Sequence, residues 1–249
     1  AKLAGSYLKR ANCNLKQVEF VVHPTNRGWT RDSGPIHVRR RPAKGNRLKS
    51  ETAIVHFHFN AWAKYKNWQL DTRVPETAAK VLKRPLFDAQ SNGKNFIIEG
   101  GGIEVNGRGT LLTTEECYQH PTVQVRNPGL TKAQYDAQFK KYLGVTNVLW
   151  LRNGPVGDDT HGHIDDICRF TDAKTLVLIK ESNKRDINYQ PLAENWERVQ
   201  EFRLEDGSKP EVIALPMPAP LYYKDWRLPS SYANFYISNA CVIVPTFND

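Results

Sequence analysis

The densest chemistry in the chain is GDDTHGHIDD, residues 157–166, which places four aspartates and two histidines in ten positions. Surface loops are often acidic, but histidines on alternate residues followed by carboxylates suit general acid–base work, in which an imidazole moves the proton. An extended backbone would send His161, His163 and Asp165 to one side and Gly162, Ile164 and Asp166 to the other. Two further carboxylates, Asp32 in TRDSGP and Glu99 in IIEGGG, have similar settings, so that the acidic points stand 67 and 66 residues apart. Carboxylates converging on one small cavity raise each other's pKa unless a cation enters. The cation that fits is a guanidinium, which is planar, permanently charged and presents forked donors that two carboxylates grip bidentately. Asp32 and Asp165 are the expected pair, with His163 shuttling protons.

Zinc hydrolysis is the competing chemistry. H-G-H-I-D-D is close to the H-x-H-x-D-H pattern of the metallo-β-lactamase superfamily, where histidines and an aspartate hold metal and activate water. Here the last position is Asp166, and His23, His56, His58 and His120 form no second ligand cluster in the sequence. Zinc is accordingly the less favoured of the two chemistries. Glu99 keeps two open readings: orienting His163 or shaping the pocket, against accepting the backbone N–H groups of Gly100 to Gly102. EGGG lacks the Lys-Ser/Thr that a phosphate-binding P-loop needs.

The elements around these points repeat. Another step of 66 residues from Asp165 reaches Ser231 in SSYANFY. After Asp32 come IHVRR and AIVHFHF, the second alternating like a half-buried strand. GIEVNGRGTLLTT follows Glu99, with a turn expected at Asn106-Gly107. ICRFTDAKTLVLI follows Asp165, and NFYISNACVIVPTF follows Ser231. The first three hairpins each precede a helix: VPETAAKVLKR with Pro75 in its first turn, TKAQYDAQFKKYLG with Thr131 and Gln134 at capping-box spacing and Gly144 as its stop, and PLAENWERVQEF with Leu192, Trp196, Val199 and Phe202 on one face. Short apolar strands then lead to the next point: NFII, NVLWL and EVIAL. The unit is hairpin, helix, strand, and strands that pair locally predict a ring of small α/β modules with the acidic points near its axis. Residues 1–249 read as a single domain with roughly four such units.

Composition bounds the partners. The 249 residues are 40% hydrophobic and 24% charged, enough apolar mass for a substantial core and no match for disorder or collagen. No apolar run approaches a membrane span, and AKLAGSYLKRANC lacks the apolar stretch of a secretory signal. Four cysteines, Cys13, Cys117, Cys168 and Cys241, are too sparse for a disulfide scaffold and favour a reducing compartment, so a cytoplasmic location is expected. The formal charge is +9, densest in VRRRPAKGNRLK at residues 38–49, a stretch read as a solvated loop. Aromatics do not interleave with these cations as a nucleic-acid stacking platform requires. A noncatalytic guanidine- or nucleic-acid-binding fragment is the reading from another class, and homo-oligomerisation is left open.

WTRDSGP, FNAWAKY, EGGG with GTLLTTEEC, NP-x-LTK, WL-x-x-G, DDTHGHIDD and SYANFYI occur in this order. From about residue 18 to the end, the chain closely resembles the agmatine deiminase and bacterial-type peptidylarginine deiminase family. The resemblance implies the pentein-type α/β propeller, with pseudo-fivefold repeats, incomplete in this chain. It further implies deimination, without metal or organic cofactor, of a small cationic guanidino substrate: agmatine and water give N-carbamoylputrescine and ammonia through an amidino-cysteine intermediate. Peptidyl or free arginine are the nearest alternatives, and an arginine-specific member needs a cation for the α-carboxylate, for which Arg31, Arg152 and Arg169 are candidates. By motif position Asp32 and Asp165 bind the guanidinium and His163 is acid, then base. Asp159 holds the substrate's amine end or lines the pocket, and Trp29 packs on its apolar linker.

The family's nucleophile lies in a segment of the G-x-x-H-C-x-T type, and none of the four cysteines has that setting. Cys241 and Cys168 read as strand residues, Cys117 as a loop or turn residue and Cys13 as N-terminal, so none is the expected nucleophile. The expectation is that the chain is part of a longer deiminase lacking both ends, with its reactive cysteine elsewhere.

Overall fold

A computed structural model describes residues 1–40 and 51–247. Most of the basic stretch 38–49 lies outside the described residues. Three three-stranded sheets follow one another along the chain, each built the same way. In the first, Ile36–Arg39 pairs antiparallel with Thr52–His56, helix Val74–Leu82 crosses over, and Leu86–Asp88 returns parallel to the second strand. The second uses Glu104–Val105, Thr110–Thr114, helix Lys132–Leu143 and the parallel strand Asn147–Leu151. Cys168–Phe170, Thr175–Lys180, helix Tyr189–Val199 and Glu211–Pro216 form the third. A further hairpin joins Tyr236–Ile237 to Val242–Ile243.

Helix limits follow the local chemistry. Thr131 accepts from the Gln134 backbone N–H while the Gln134 side chain accepts from the Thr131 N–H, a reciprocal box that satisfies two otherwise unpaired donors. Gly144 ends the helix at φ 70°, a left-handed conformation that costs a side chain dearly. Leu192, Val199 and Phe202 are buried in one apolar cluster with Leu176, Leu178 and Ile179 of the adjacent strand, and Trp196 packs against it half-buried. Tyr135 and Phe139, one turn apart, fill a second cluster with Phe96, Leu111 and Trp150.

Two local expectations need correction. The strand that returns beside Thr52–His56 is Leu86–Asp88, not NFII, whose Ile97 makes only an isolated bridge with His58. Asn106-Gly107 does not form a two-residue turn. The Asn106 carboxamide oxygen accepts from the backbone of Arg108, Gly109 and Thr110, closing a four-residue loop. The tight Asn-Gly turn is instead Asn92-Gly93, both at positive φ, between Gln90–Ser91 and Lys94–Asn95. Among the described residues no helix is long and apolar enough to cross a membrane.

Replacing Thr131 by Ala removes half of the capping box and should lower unfolding free energy by about 1 kcal/mol in urea titration. An unchanged midpoint would show that this helix end is held by packing alone.

Candidate functional site

Each acidic point stands on a short turn just ahead of a hairpin. Asp32 lies in the one-turn helix Thr30–Ser33, Glu99 precedes the tight turn Gly100–Gly102, and Asp165 lies in the turn Ile164–Asp166. The turns pack on one another so closely that a side chain at Gly100 would strike the Arg31 carbonyl at 2.1 Å. Gly101 is closer still to the chemistry: a Cβ there would lie 2.5 Å from His163 Nδ1, 2.7 Å from Asp32 Oδ1 and 3.1 Å from Asp165 Oδ1. One point in space is thus shared by the imidazole and both aspartates.

His163 is the hub. Its Nδ1 stands 3.6 Å from Asp32 Oδ1 and 3.9 Å from Asp165 Oδ1, and its Nε2 is 3.6 Å from Glu99 Oε2. All four residues are buried. The Trp62 indole donates to Asp32 Oδ2 at 3.1 Å, and the Gly101 N–H donates to Asp32 Oδ1 at 3.1 Å. Glu99 is paired with Arg126 through a 3.1 Å contact between two fully enclosed side chains, and the Tyr118 hydroxyl donates to its other oxygen. Arg31 places its guanidinium 3.3 Å from Asp165 Oδ2 and donates to the Phe235 carbonyl. Asp165 Oδ1 and His163 Nε2 are buried without a hydrogen-bond partner among the described residues.

The charges follow from burial and neighbours. Burial would raise Glu99, but Arg126 and then His163 outweigh it and hold the carboxyl at about 2. Burial lifts Asp32 above the usual carboxylate range against the pull of His163, and lifts Asp165 to about 6, with His163 and Arg31 opposing and Asp32 assisting. Burial alone would lower His163, yet Asp32, the Cys117 thiol and Glu99 carry it well above the ordinary imidazole value. The cluster is therefore an imidazolium held between carboxylates, one of which is poised to change charge just below neutrality.

The segment carrying His163 is not extended as the alternation argument required. His161 and Gly162 adopt φ 64° and 81°, which turns the two histidines apart. His161 faces Glu116 at 3.5 Å and packs edge-on against His120, where burial and His120 lower it to about 4. The H-x-H-x-D metal triad is therefore not assembled. Asp158 organises this loop: its two oxygens accept from Thr160, Gly162 and His163 backbone N–H groups. Asp166, adjacent to Asp165, accepts from Asn234 and is pushed well above the usual range by burial and by Asp165. Ser231, the fourth point of the spacing, donates to the Asp166 carbonyl at 2.7 Å.

Two expected residues stand outside the cluster. Trp29 is 64% exposed, and its carbonyl accepts from Asp32 and Ser33. Asp159 is an exposed carboxylate held by the Lys64 ammonium and by the Tyr65 hydroxyl at 2.8 Å. Cys117 is not a loop residue. It lies buried in helix Glu115–Gln119, with its sulfur close to Glu99 and His163. Sequence reasoning also missed Arg126, Trp62 and Asp158 as site residues, although FNAWAKY and DDTHGHIDD were visible as motifs and Arg126 directly precedes NP-x-LTK.

Comparison with known proteins gives consistent matches. A family model described as Porphyromonas-type peptidyl-arginine deiminase matches residues 3–249. Agmatine deiminase of Medicago truncatula is 35% identical over 257 residues, 93% of this chain and 67% of that protein. The agmatine deiminase of Pseudomonas syringae pv. tomato is 31% identical over 263 residues, 96% and 68% of the two chains. A solved structure of C. jejuni agmatine deiminase, a cysteine-to-serine variant with substrate bound, matches with a TM-score of 0.80 at 33% identity, covering 98% of this chain and 67% of that one. The chain thus spans about two thirds of the length of these relatives.

Replacing Arg126 by Met leaves Glu99 charged without its partner in an enclosed site and should cost about 3–5 kcal/mol of stability by denaturant titration. A loss below about 1 kcal/mol would show that His163 alone neutralises Glu99.

Proposed function

The chain belongs to the Porphyromonas-type peptidyl-arginine deiminase family, and from that premise we propose that it deiminates agmatine. Its coarse chemistry, hydrolysis of an amidino C–N bond, is that of its agmatine deiminase relatives. The finer reaction proposed is agmatine plus water giving N-carbamoylputrescine and ammonia. The observation carrying this reading is the convergence of Asp32 and Asp165 on one buried point beside His163.

In this mechanism the guanidinium lies between the two aspartates, whose oxygens accept from its N–H groups and fix its plane. A thiolate adds to the guanidinium carbon, His163 gives a proton to the departing nitrogen, and ammonia leaves. Water then adds to the amidino-thioether carbon while His163 takes its proton, and the C–S bond breaks to release the ureido product. Glu99 with Arg126 keeps His163 oriented and charged. We assign the thiolate to none of the four cysteines. Cys117 and Cys168 are enclosed and burial pushes both thiols up, Cys168 beyond the accessible range. Cys13 and Cys241 are exposed and far removed in sequence setting from the G-x-x-H-C-x-T pattern.

Agmatine is favoured over arginine because the three candidate cations are engaged. Arg31 faces Asp165, Arg152 faces Glu194 at 3.3 Å, and Arg169 is bound to Glu104 at 3.0 Å. Asp159 suits the amine end of the substrate. Two aromatic rings link it to Asp32: the Tyr65 hydroxyl donates to Asp159, the Tyr65 ring lies 6.0 Å from that of Trp62, and the Trp62 indole donates to Asp32. Trp29 covers the apolar linker on this reading.

In the full-length enzyme His163→Ala should lower kcat for ammonia release by about 10²–10⁴-fold, and Asp165→Asn should lower kcat/KM comparably, both with an unchanged far-ultraviolet circular dichroism spectrum. Wild-type rates in a folded variant would refute the assigned roles. Because Asp165 titrates near 6 and must be charged to bind a cation, KM for agmatine should rise as pH falls below about 6, by roughly tenfold per pH unit once protonation dominates. A KM constant from pH 5 to 8 would remove Asp165 from the guanidinium site.

A further inference from the structure

The first sheet carries a second cluster of ligating side chains, separate from the one around His163. His56 and Asp88 are register partners on the parallel strands Thr52–His56 and Leu86–Asp88, so their side chains share a face. His58, two residues beyond His56, falls on the same face and is held there by its backbone bridge to Ile97. The two imidazole rings lie 4.2 Å apart between centroids. Both aim at one oxygen: His58 Nε2 is 2.8 Å and His56 Nδ1 is 3.6 Å from Asp88 Oδ1. The three ligand atoms all lie within 4.8 Å of one another.

Hydrogen bonding fixes which nitrogen of His56 points inward. Its Nε2 is 2.7 Å from the Thr72 carbonyl, which only accepts, so Nε2 carries a hydrogen and Nδ1 is the atom that faces Asp88. Carbonyl support of the distal nitrogen is also how metal-bound histidines are commonly oriented, and the second Asp88 oxygen is similarly supported by the Gln90 carboxamide at 2.9 Å.

We propose that His56, His58 and Asp88 bind a divalent transition-metal ion, with zinc as the best match. Two imidazoles and one carboxylate suit zinc, and a tetrahedral ion with bonds of about 2.0–2.2 Å separates its ligand atoms by roughly 3.4 Å. The observed 2.8 and 3.6 Å straddle that spacing. Asp88 is 48% exposed, giving the ion a path from solvent and leaving a fourth position for water. The site ties the strand leading into FNAWAKY to the strand preceding the Asn92-Gly93 hairpin. It contributes no atom to the deimination chemistry and does not depend on that reading.

The test is calorimetric titration of the chelator-treated, full chain with zinc chloride, alongside the exposed-ligand variant Asp88→Asn, His58→Gln and Cys117→Ser. Wild type and Cys117→Ser should bind one equivalent, while Asp88→Asn and His58→Gln should weaken binding at least 10-fold, with circular dichroism confirming that each is folded. Cobalt(II) should give the intense visible bands of a tetrahedral site in wild type and lose them in Asp88→Asn. No saturable binding by wild type overturns the proposal. So does zinc binding that survives in Asp88→Asn and His58→Gln but is lost in Cys117→Ser, which would place the ion with Glu99, Cys117 and His163 instead.

Discussion

Three carboxylates and one imidazole, none more than 8% exposed, occupy the centre of the candidate site, and burying that much negative charge is the constraint the surrounding structure answers. Glu99 is the deepest and is answered most completely, by Arg126 on one oxygen and by Tyr118 and His163 on the other. Asp32 receives an indole and a backbone N–H. Asp165 is the least satisfied: one oxygen faces Arg31 and the other has no hydrogen-bond partner among the described residues. The gradient of compensation parallels the roles proposed for these carboxylates. A fully paired carboxylate is fixed in charge and geometry, whereas an underpaired one retains capacity to grip a cation that enters.

The fold delivers these groups from three places that are distant in sequence and equivalent in local structure. Each lies on, or for Glu99 directly before, a tight turn ahead of a hairpin, so the strand that follows fixes the direction of its side chain while the turn brings its backbone against the next turn. Contact at this range is steric as much as electrostatic. Gly100 admits the Arg31 carbonyl and Gly101 admits His163 and both aspartates, so the run of glycines after Glu99 serves approach of neighbouring groups, not binding of phosphate. The strands behind the turns are pinned by two apolar clusters, and precision in the site is inherited from their packing.

Legibility in the sequence tracked how local the cause was. The capping box of Thr131 and Gln134, the stop at Gly144 and the buried face of Leu192, Val199 and Phe202 depend on neighbours within a turn or two, and all are present as expected. The site residues Asp32, Glu99, His163 and Asp165 were visible because a regular spacing pointed at them. Arg126 was not, since nothing in the sequence marks which arginine will be enclosed with which carboxylate 27 residues away. His161 misled for the opposite reason. Alternation assumed an extended chain, and the positive φ at His161 and Gly162, stabilised by Asp158, broke that premise. Asn106 and Asn92 show the same limit, because both precede glycine and only the strands beyond decide which becomes a tight turn.

A net charge of +9 opposes capture of a cation at long range, but the distances decide otherwise. Surface lysines and arginines separated from the site by about a Debye length, roughly 8–10 Å, are largely screened at physiological salt. Charges inside the site are not screened by water and act at 3 to 4 Å. The arginines near enough to matter are themselves committed, Arg126 to Glu99 and Arg169 to Glu104, so they cancel charge locally without projecting a positive field into the space beside Asp32 and Asp165. Arg31 is the exception, since its own guanidinium already rests on Asp165. That contact shows that Asp165 accepts this chemical group in the folded chain, and an incoming guanidinium must compete with Arg31 for the same carboxylate. On the proposed assignment, affinity is a difference between two guanidinium contacts, governed by how much better Asp32 and Asp165 together hold a planar cation than Asp165 alone holds Arg31.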